Sequence, residues 1–428
     1  MTAPRVHFET PQATLVHGDC LEALRDLPDA SIDSVVTDPP YGLANTTPSL
    51  VMTAVTKWAS GDRGFIPDGR GFNGQRWDAF VPPPAVWDEC MRVLKPGGHL
   101  LAFAGARTFD LMTLSIRFAG FDIRDGIAWL YGSGFPKNHD VTESMAHFVE
   151  HGSTVVERVV DPDLYRVTTF LREARDAAGW TNRRIDEKFG TAGMAGHWTT
   201  SGVQPTCPSP RQWAELKDAL GFDDSHDELA ARLGSTERPE DWGQTEAPRF
   251  LSDLVENKPD EPKAPSGWGT ALKPSFEPIV VARKAVGSTV AANVLEHGTG
   301  ALNLGGTRTV VDGEARWPAN VVLDQSQADR LEQTRFFYVS KAPASEKPEA
   351  EGTVHETVKP LDLMQRLVRL VTPKGGTVLE PFAGSGTTLE AAIREGFDVI
   401  GVEREARYLP LIMARLGKPH QQTLFGDL

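Results

Sequence analysis

The sequence predicts an α/β protein: an open parallel sheet wound in circularly permuted order, with helices on both faces, a helical insertion and an irregular region. Three observations predict it. Apolar strands alternate with amphipathic helices toward both ends of the 428-residue chain, and a polar helical stretch interrupts them. A strand near the start, "SIDSVVTD", ends in Asp38-Pro39-Pro40-Tyr41. A strand near the end runs into a tight turn at Gly384-Ser385-Gly386, from which a helix starts.

The elements follow in order. "ATLVHGD" is a short apolar strand ending at Asp19, and "CLEALRDLP" is a helix with Leu21, Leu24 and Leu27 on one side. The next strand stops at Asp38, because the prolines after it cannot donate to a sheet ladder. Asn45 to Asp78, rich in Gly and Arg, reads as a mobile loop, and loops of such length often carry function. "PPPAVWDECMRVLKPGGHLLAFAG" is helix, Gly-Gly turn and buried strand, and the stretch after it is a further helix and strand. Residues 137–268 form a helical insertion with an acidic linker, after which "FEPIVVARK" (Phe276 to Lys284) returns to the sheet. Residues 285–350 are irregular, and "ASEKPEAEGT" reads as a flexible link. The domain boundaries are therefore 1–136, 137–268, 269–284, 285–350 and 351–428.

The C-terminal block, Gly376 to Glu405, is a strand, a glycine turn, a helix and a second strand ending in Glu403. This is the layout of a nucleoside-binding βαβ unit: glycines let a ligand approach the backbone, and the terminal acid accepts from two ribose hydroxyls. Only GxG is present, which departs from the dinucleotide fingerprint. This block supplies the first two strands of a Rossmann-like sheet and the N-terminal block supplies the third and fourth, so the order is permuted. Acids and glycines at neighbouring strand ends then line one crevice.

Composition bounds the function. The net charge of −14 argues against nucleic acid, but the stretch from Phe222 to Lys263 holds 12 acids and five bases, a net of 5 − 12 = −7. The remainder has room for a basic cleft. Met1 to Thr10 lacks the pattern of a signal peptide, and no apolar run approaches the ~18 residues of a membrane span, which implies a cytoplasmic protein without membrane contact. Cys20, Cys90 and Cys207 form no CxxC pair and suggest neither zinc nor disulfides.

Together these motifs resemble the DNA amino-methyltransferases of the permuted beta order, in which DPPY comes first and FxGxGT last. The matching residues are Asp38-Pro39-Pro40-Tyr41 and Phe382-Ala383-Gly384-Ser385-Gly386-Thr387. "HETVKP" is similar to a further family motif through Thr357, Lys359 and Pro360. The resemblance covers about Leu15 to Phe135 and Gly267 to Leu416. It implies a methyltransferase sheet, S-adenosyl-L-methionine as methyl donor and double-stranded DNA as substrate. It also implies the roles of single residues. The loop Glu380-Pro381-Phe382-Ala383-Gly384-Ser385-Gly386-Thr387 would hold the methionine part, and Glu403 the ribose. Asp19 would face the adenine ring, and Thr357 and Lys359 would close the methionine end.

Within that resemblance the DPPY turn has a chemical reason. An exocyclic base amine is a poor nucleophile, because its lone pair is delocalised. The Asp38 carboxylate and the Pro39 carbonyl, accepting its two hydrogens, would localise that pair, and Tyr41 would stack on a base turned out of the duplex. Asp at the first position favours adenine N6 over cytosine N4 and argues against a glutamine side chain as substrate. RNA methylation and a DNA-binding regulator without catalysis are the competing readings, the second disfavoured by the presence of both motifs. Family members are often dimers, so the resemblance admits a homodimer, with a cognate restriction enzyme as candidate partner.

Two regions are candidates for reading DNA. Phe170 to Phe222 is similar to repressor-type helix-turn-helix domains, whose second helix, here near Thr191 to Trp198 with Arg183, Arg184 and Lys188 close by, enters the major groove. A small packing insertion is the alternative. Ala285 to Ser345 carries Asn303, Arg308, Arg316, Trp317 and Asn320, residue types that read base edges. Arg63, Arg70 and Arg76 are candidates for phosphate contacts.

Overall fold

The computed structural model describes residues 4–43, 46–69, 76–131, 162–189, 194–200, 206–234, 272, 274–311, 314–323, 337–339, 341–342, 346–350, 353–355 and 357–417. The chain divides into two compact units, Met1–Pro136 with Lys273–Leu428, and Lys137–Leu272.

The first unit is an α/β sheet. Its elements begin with β1 (Arg5–Glu9), β2 (Ala13–His17), α1 (Cys20–Arg25), β3 (Ile32–Thr37) and α2 (Pro48–Ala59). They continue through α3 (Pro84–Val93), β4 (Leu94–Phe103), α4 (Phe109–Phe118) and β5 (Asp122–Leu130). In the second unit lie α5 (Pro162–Ala177), α6 (Asn182–Phe189), α7 (Met194–Trp198), α8 (Pro210–Leu220) and α9 (Asp227–Leu233). The chain returns with β6 (Phe276–Arg283), α10 (Val290–His297), β7 (Thr309–Val311), β8 (Glu314–Arg316), β9 (Val321–Leu323) and β10 (Phe337–Tyr338). It ends with β11 (Glu349–Ala350), β12 (Thr353–Val354), α11 (Leu361–Val371), β13 (Thr377–Glu380), α12 (Thr387–Arg394), β14 (Asp398–Glu403) and α13 (Leu409–Leu416).

Ten described strands form the sheet in the order β1-β2-β14-β13-β3-β4-β6-β5-β9-β10. From β2 to β4 all neighbours are parallel, and β6 runs antiparallel to both β4 and β5. The two C-terminal strands therefore sit inside the N-terminal set, between β2 and β3, as the permuted order requires. Every residue of β3 is buried, as expected of a parallel strand covered on both faces. Successive strand residues feed two apolar layers. Val36, Leu101 and Val378 pack with Leu367, Leu389 and Ile412 from the C-terminal helices. Val35, Leu100 and Leu379 pack with Leu24, Trp58, Trp87 and Met112 from the N-terminal helices. Helix α11 presents Leu361, Met364, Leu367, Val368 and Val371 to its layer at helical spacing.

Polar ties join the two halves. Asp33 on β3 accepts from the Thr377 N–H at the start of β13 (2.8 Å) and pairs with Lys95 (2.7 Å). Ser34 and Thr372 share a hydroxyl bond at 2.8 Å. Glu390 on α12 accepts from Arg415 (2.5 Å) and Arg394 (2.7 Å), and Arg415 also donates to the Glu346 carbonyl (2.6 Å).

Several expectations change. The stretch from Asn45 to Asp78 contains α2, capped by Thr47 and anchored by buried Ala54 and Trp58, whose indole donates to Phe65 O (2.9 Å). The Gly- and Arg-rich residues beside this helix masked its pattern. The first strand, β1, pairs antiparallel with β2 and was not expected. The segment 285–345 contains α10 and short strands. The expected flexible link is tied down where Glu346 accepts from Leu361 N (2.9 Å) and from Arg415.

The second unit has its own core of Val167, Leu171, Ile185, Trp198, Trp213, Leu216 and Leu220. Phe170 stacks on His226 at 4.0 Å between ring centres. A capping box of Ser209 and Gln212 starts α8, and Gly221 in the left-handed region (φ 71°) ends it. No helix among the described residues is long and apolar enough to cross a membrane.

Removing Glu390 would leave buried Arg415 without its carboxylate. Glu390→Ala should cost about 3–5 kcal/mol of stability, read as a lower midpoint in urea denaturation.

Candidate active site

The parallel strands β2, β14, β13 and β3 all end on one side of the sheet, and the residues at or just beyond those ends are Asp19, Glu403, Glu380 and Asp38. Because β6 runs the other way, it begins at that same edge. Its second residue, Glu277, lies opposite Trp129 near the end of β5, with Tyr131 just beyond. The edge thus collects five acids from strands remote in sequence.

The DPPY turn is held from outside itself. Buried Asp78 accepts from the N–H groups of Tyr41 (2.9 Å) and Gly42 (3.0 Å) through one oxygen. The Thr108 hydroxyl donates to the Tyr41 carbonyl at 2.6 Å. Gly42 has φ +67°, and a Cβ there would lie 2.7 Å from Val81 N, so the turn closes only around a glycine. Pro39 is buried and Pro40 half-buried.

A compact charge cluster sits on this turn. Lys359 Nζ donates to Asp38 Oδ2 at 2.6 Å and lies 3.4 Å from Glu277 Oε2. The Tyr41 hydroxyl is 2.9 Å from both Asp38 Oδ1 and Glu277 Oε2, and Tyr131 donates to Glu277 Oε1 at 3.1 Å. Burial pushes the Asp38 carboxyl up, and the Lys359 ammonium only partly offsets this. Burial also opposes ionisation of Glu277, but Lys359 and the two tyrosine hydroxyls outweigh it and hold that carboxyl below its usual value. Burial lowers Lys359, yet the two carboxylates raise it overall.

The glycine turn lies next to it. Gly384 and Gly386 are left-handed (φ +51° and +77°), and a Cβ on Gly386 would press on Ile412 at 3.1 Å. Glu403 Oε2 accepts from Gly384 N (2.7 Å) and Oε1 from Glu405 N (2.7 Å); burial raises its carboxyl to about 7. Glu380 accepts from the hydroxyls of Thr37 and Thr388 and from Phe382 N (3.0 Å), yet burial raises it to about 8. Ala383 N donates to Val402 O (2.8 Å), and Ser385 and Thr387 share a hydroxyl bond at 3.0 Å. Pro381 is buried, and the Phe382 ring packs on Trp87. Each Glu403 oxygen keeps a lone-pair site beyond its single backbone donor, which suits two adjacent hydroxyls.

The structure brings together Asp38, Tyr41 and Lys359, and separately Gly384 and Glu403. Four of the expected residues have partners that the sequence does not name. Lys359, expected at the methionine end, is bonded to Asp38, because it precedes α11 where that helix starts beside the DPPY turn. The Tyr41 hydroxyl is engaged by two carboxylates. Asp19 caps α1 through Leu21 N (3.0 Å) and Glu22 N (3.4 Å). Thr357 is exposed, and its N–H donates to His355 Nδ1 (3.2 Å). Glu277, Asp78, Tyr131 and His355 were missed. An acid at the second position of "FEPIVVAR", just ahead of an apolar buried run, was the available signal for Glu277. His355 Nε2 lies 3.1 Å from where a Gly384 Cβ would stand, and burial lowers its imidazole to about 4.

The expected DNA-reading residues scatter. Arg63 forms a two-toothed pair with Asp88 and donates to Phe118 O (2.9 Å), so it braces α3 and α4. Arg70 and the side chain of Arg76 lie outside the described residues. Asn303 closes its own turn by accepting from Gly306 N (2.9 Å), and Asn320 donates to Asp125 (3.3 Å). Arg316 pairs with Glu314 (2.6 Å). Arg308 lies over the exposed Trp317 at 4.4 Å. In the second unit, α7 spans only Met194–Trp198 and buries Ala195 and Trp198 in the core. The earlier part of the expected groove helix, residues 191–193, lies outside the described residues. Arg183, Arg184 and Lys188 are exposed on α6, with Arg184 stacked on Trp180 at 4.0 Å.

Two predictions follow from this geometry. Asp78→Ala frees the Tyr41 and Gly42 amides, so their hydrogen exchange should quicken, with a stability loss of about 1–3 kcal/mol. The raised Glu380 carboxyl favours the folded state while protonated. Its contribution is complete below the unfolded value near 4.5 and is lost as pH rises toward about 8. The melting temperature should therefore fall between those limits, and Glu380→Gln should flatten the fall.

The chain matches the family N6_N4_Mtase, DNA methylase, over residues 32–206 and 245–414. It is 34% identical over 154 residues to the type II methyltransferase M.HindIII of Haemophilus influenzae, covering 35% of this chain and 43% of that one. It is 53% identical over 57 residues to M.BglI of Bacillus subtilis, covering 13% and 16%. The matches thus span less than half of either relative's length. Among solved structures, the cytosine-N4-specific PvuII DNA methyltransferase superposes with a TM-score of 0.44 at 12% identity, over 97% of this chain and 89% of that one. With the family match extending across both strand-end motifs, the chain belongs to the N6/N4 DNA methylase family.

Proposed function

We propose that the chain is an S-adenosylmethionine-dependent DNA methyltransferase acting on the exocyclic N6 amine of adenine in duplex DNA, with the target base turned out of the helix. The observation that carries this is the adjacency of β3 and β13: a carboxylate able to accept from an amine and a glycine turn able to take a small ligand end side by side. The relatives are type II methyltransferases, which makes a restriction enzyme of matching specificity a candidate partner.

The residues present fit the cofactor. In this reading Glu403 accepts from its ribose hydroxyls, and the Gly384-Ser385-Gly386 turn and the neighbouring His355 take its methionine part. When bound, the cofactor supplies an electrophilic methyl group on a sulfonium. Everything else falls to the protein. Asp38 accepts a hydrogen of the target amine and localises its lone pair toward the crevice; Pro39 offers its carbonyl as the second acceptor. The Asp78 and Thr108 bonds hold that pair of acceptors still before substrate arrives, so no reorganisation is needed during the reaction. Asp38 must be ionised to accept, and its raised carboxyl value places the acid loss of activity above the range of a free aspartate. Asp at the first DPPY position favours adenine over cytosine.

Nucleoside mass spectrometry of mixed-sequence duplex DNA after incubation with S-adenosylmethionine should show N6-methyladenine. N4-methylcytosine instead would overturn the choice of base, and methylation of structured RNA alone would overturn DNA as substrate. Asp38→Ala should lower turnover by about 10²–10⁴-fold while calorimetry shows cofactor binding retained.

A further inference from the structure

We infer that Lys359 is a removable occupant of the amine position on Asp38, and that Glu277 is the positioning residue that takes over its charge when the target amine enters. This rests on the methyltransferase reading.

Lys359 holds the site the reaction needs. Its ammonium donates to Asp38 Oδ2 at 2.6 Å, and the other oxygen, Oδ1, meets the Tyr41 hydroxyl at 2.9 Å. A target amine must reach the same carboxylate. As the amine gains a methyl group its nitrogen becomes positive, and an ammonium bonded to the same carboxylate opposes that charge. The cation therefore has to withdraw without leaving the protein, since an unpaired buried ammonium is costly. Glu277 is the place to go. Its Oε2 is 3.4 Å from Nζ, within a small side-chain rotation of a full bond.

Glu277 is built to receive. Tyr131 fixes one of its oxygens (3.1 Å) and Tyr41 approaches the other (2.9 Å), so it does not follow the lysine back toward Asp38. The Lys359 ammonium also lies over the rings of Phe103 (5.0 Å) and Tyr41 (5.3 Å), whose faces favour a cation along the way. The charged and titratable groups bearing on Asp38 are Lys359 ahead of α11, Glu277 on β6, Tyr41 in its own turn and Glu380 at the end of β13.

The test compares the full chain with Glu277→Gln. Three quantities are measured: cofactor affinity by calorimetry, methyl transfer to duplex DNA against pH, and the Asp38 carboxyl titration by ¹³C NMR without cofactor. In the variant Lys359 has Asp38 alone, so kcat/KM for DNA should fall about a hundredfold with cofactor affinity unchanged. One negative neighbour is gone, so the NMR titration and the acid limb of the rate profile should both move to lower pH. Lys359→Gln should move them to higher pH. A rate loss with both titrations unmoved, as a merely structural role would give, overturns the proposal, and so does an unchanged rate. Should Glu277→Gln not fold, Glu277→Asp keeps the charge but withdraws it by one methylene. It should lower kcat/KM, and a wild-type rate there overturns the proposal. A wild-type chain that binds cofactor yet methylates nothing overturns the functional reading itself.

Discussion

The site depends on one insertion: β13 and β14 lodge in parallel between β2 and β3. Without it, Asp38 and the glycine turn, separated by most of the chain, would have no reason to meet. The insertion is specified by more than apolar contact. Buried Asp33 takes the first N–H of β13 and is neutralised by Lys95, so a slipped register would leave a buried carboxylate short of a donor. The hydroxyl pair of Ser34 and Thr372 adds a second marker on the same strand. Once this register is set, the acids at the strand ends follow from geometry.

Gathering acids at one buried edge is unfavourable, and the protein answers it in two ways. Glu380 receives three neutral donors, the Thr37 and Thr388 hydroxyls and a backbone N–H. These satisfy its lone pairs but supply no opposing charge, and burial still raises it. Glu277 receives hydroxyls as well, but with an ammonium beside it, and sits below its usual value. The difference follows the difference in chemistry. Glu380 stitches β3, β13 and α12 together, a task that a protonated carboxyl can also perform. In the Asp38 cluster the Lys359 ammonium faces both carboxylates: it offsets part of the rise that burial imposes on Asp38 and helps hold Glu277 down.

Much of this was legible in the sequence because it is local. Strand–turn–helix periodicity, the prolines that end β3 and the glycines after β13 are written in short windows, and their order implied the permutation. What was not legible is what one segment does to another. Asp78 stands in a Gly- and Arg-rich stretch whose composition suggests a loop, and nothing local says that it grips the DPPY turn. Glu277 looked like one polar residue in a return strand until antiparallel pairing brought it to the working edge. The bond from Lys359 to Asp38 joins residues 321 positions apart, so no short window shows it. Arg63 illustrates the reverse: a surface-type residue in a suggestive stretch is consumed by Asp88.

The insertion also bears on how the protein is made. A ribosome delivers β2 and β3 early, yet the neighbours that belong between them emerge only with the last strands, after the whole helical insertion has been synthesised. Until then the nascent sheet carries unsatisfied edges and apolar faces without their C-terminal helices, the condition in which chaperones are recruited. Closure is a late, long-range event, slow by the loop entropy it must overcome. A chain released before β13 would hold the Asp38 turn without the glycine turn that ends beside it.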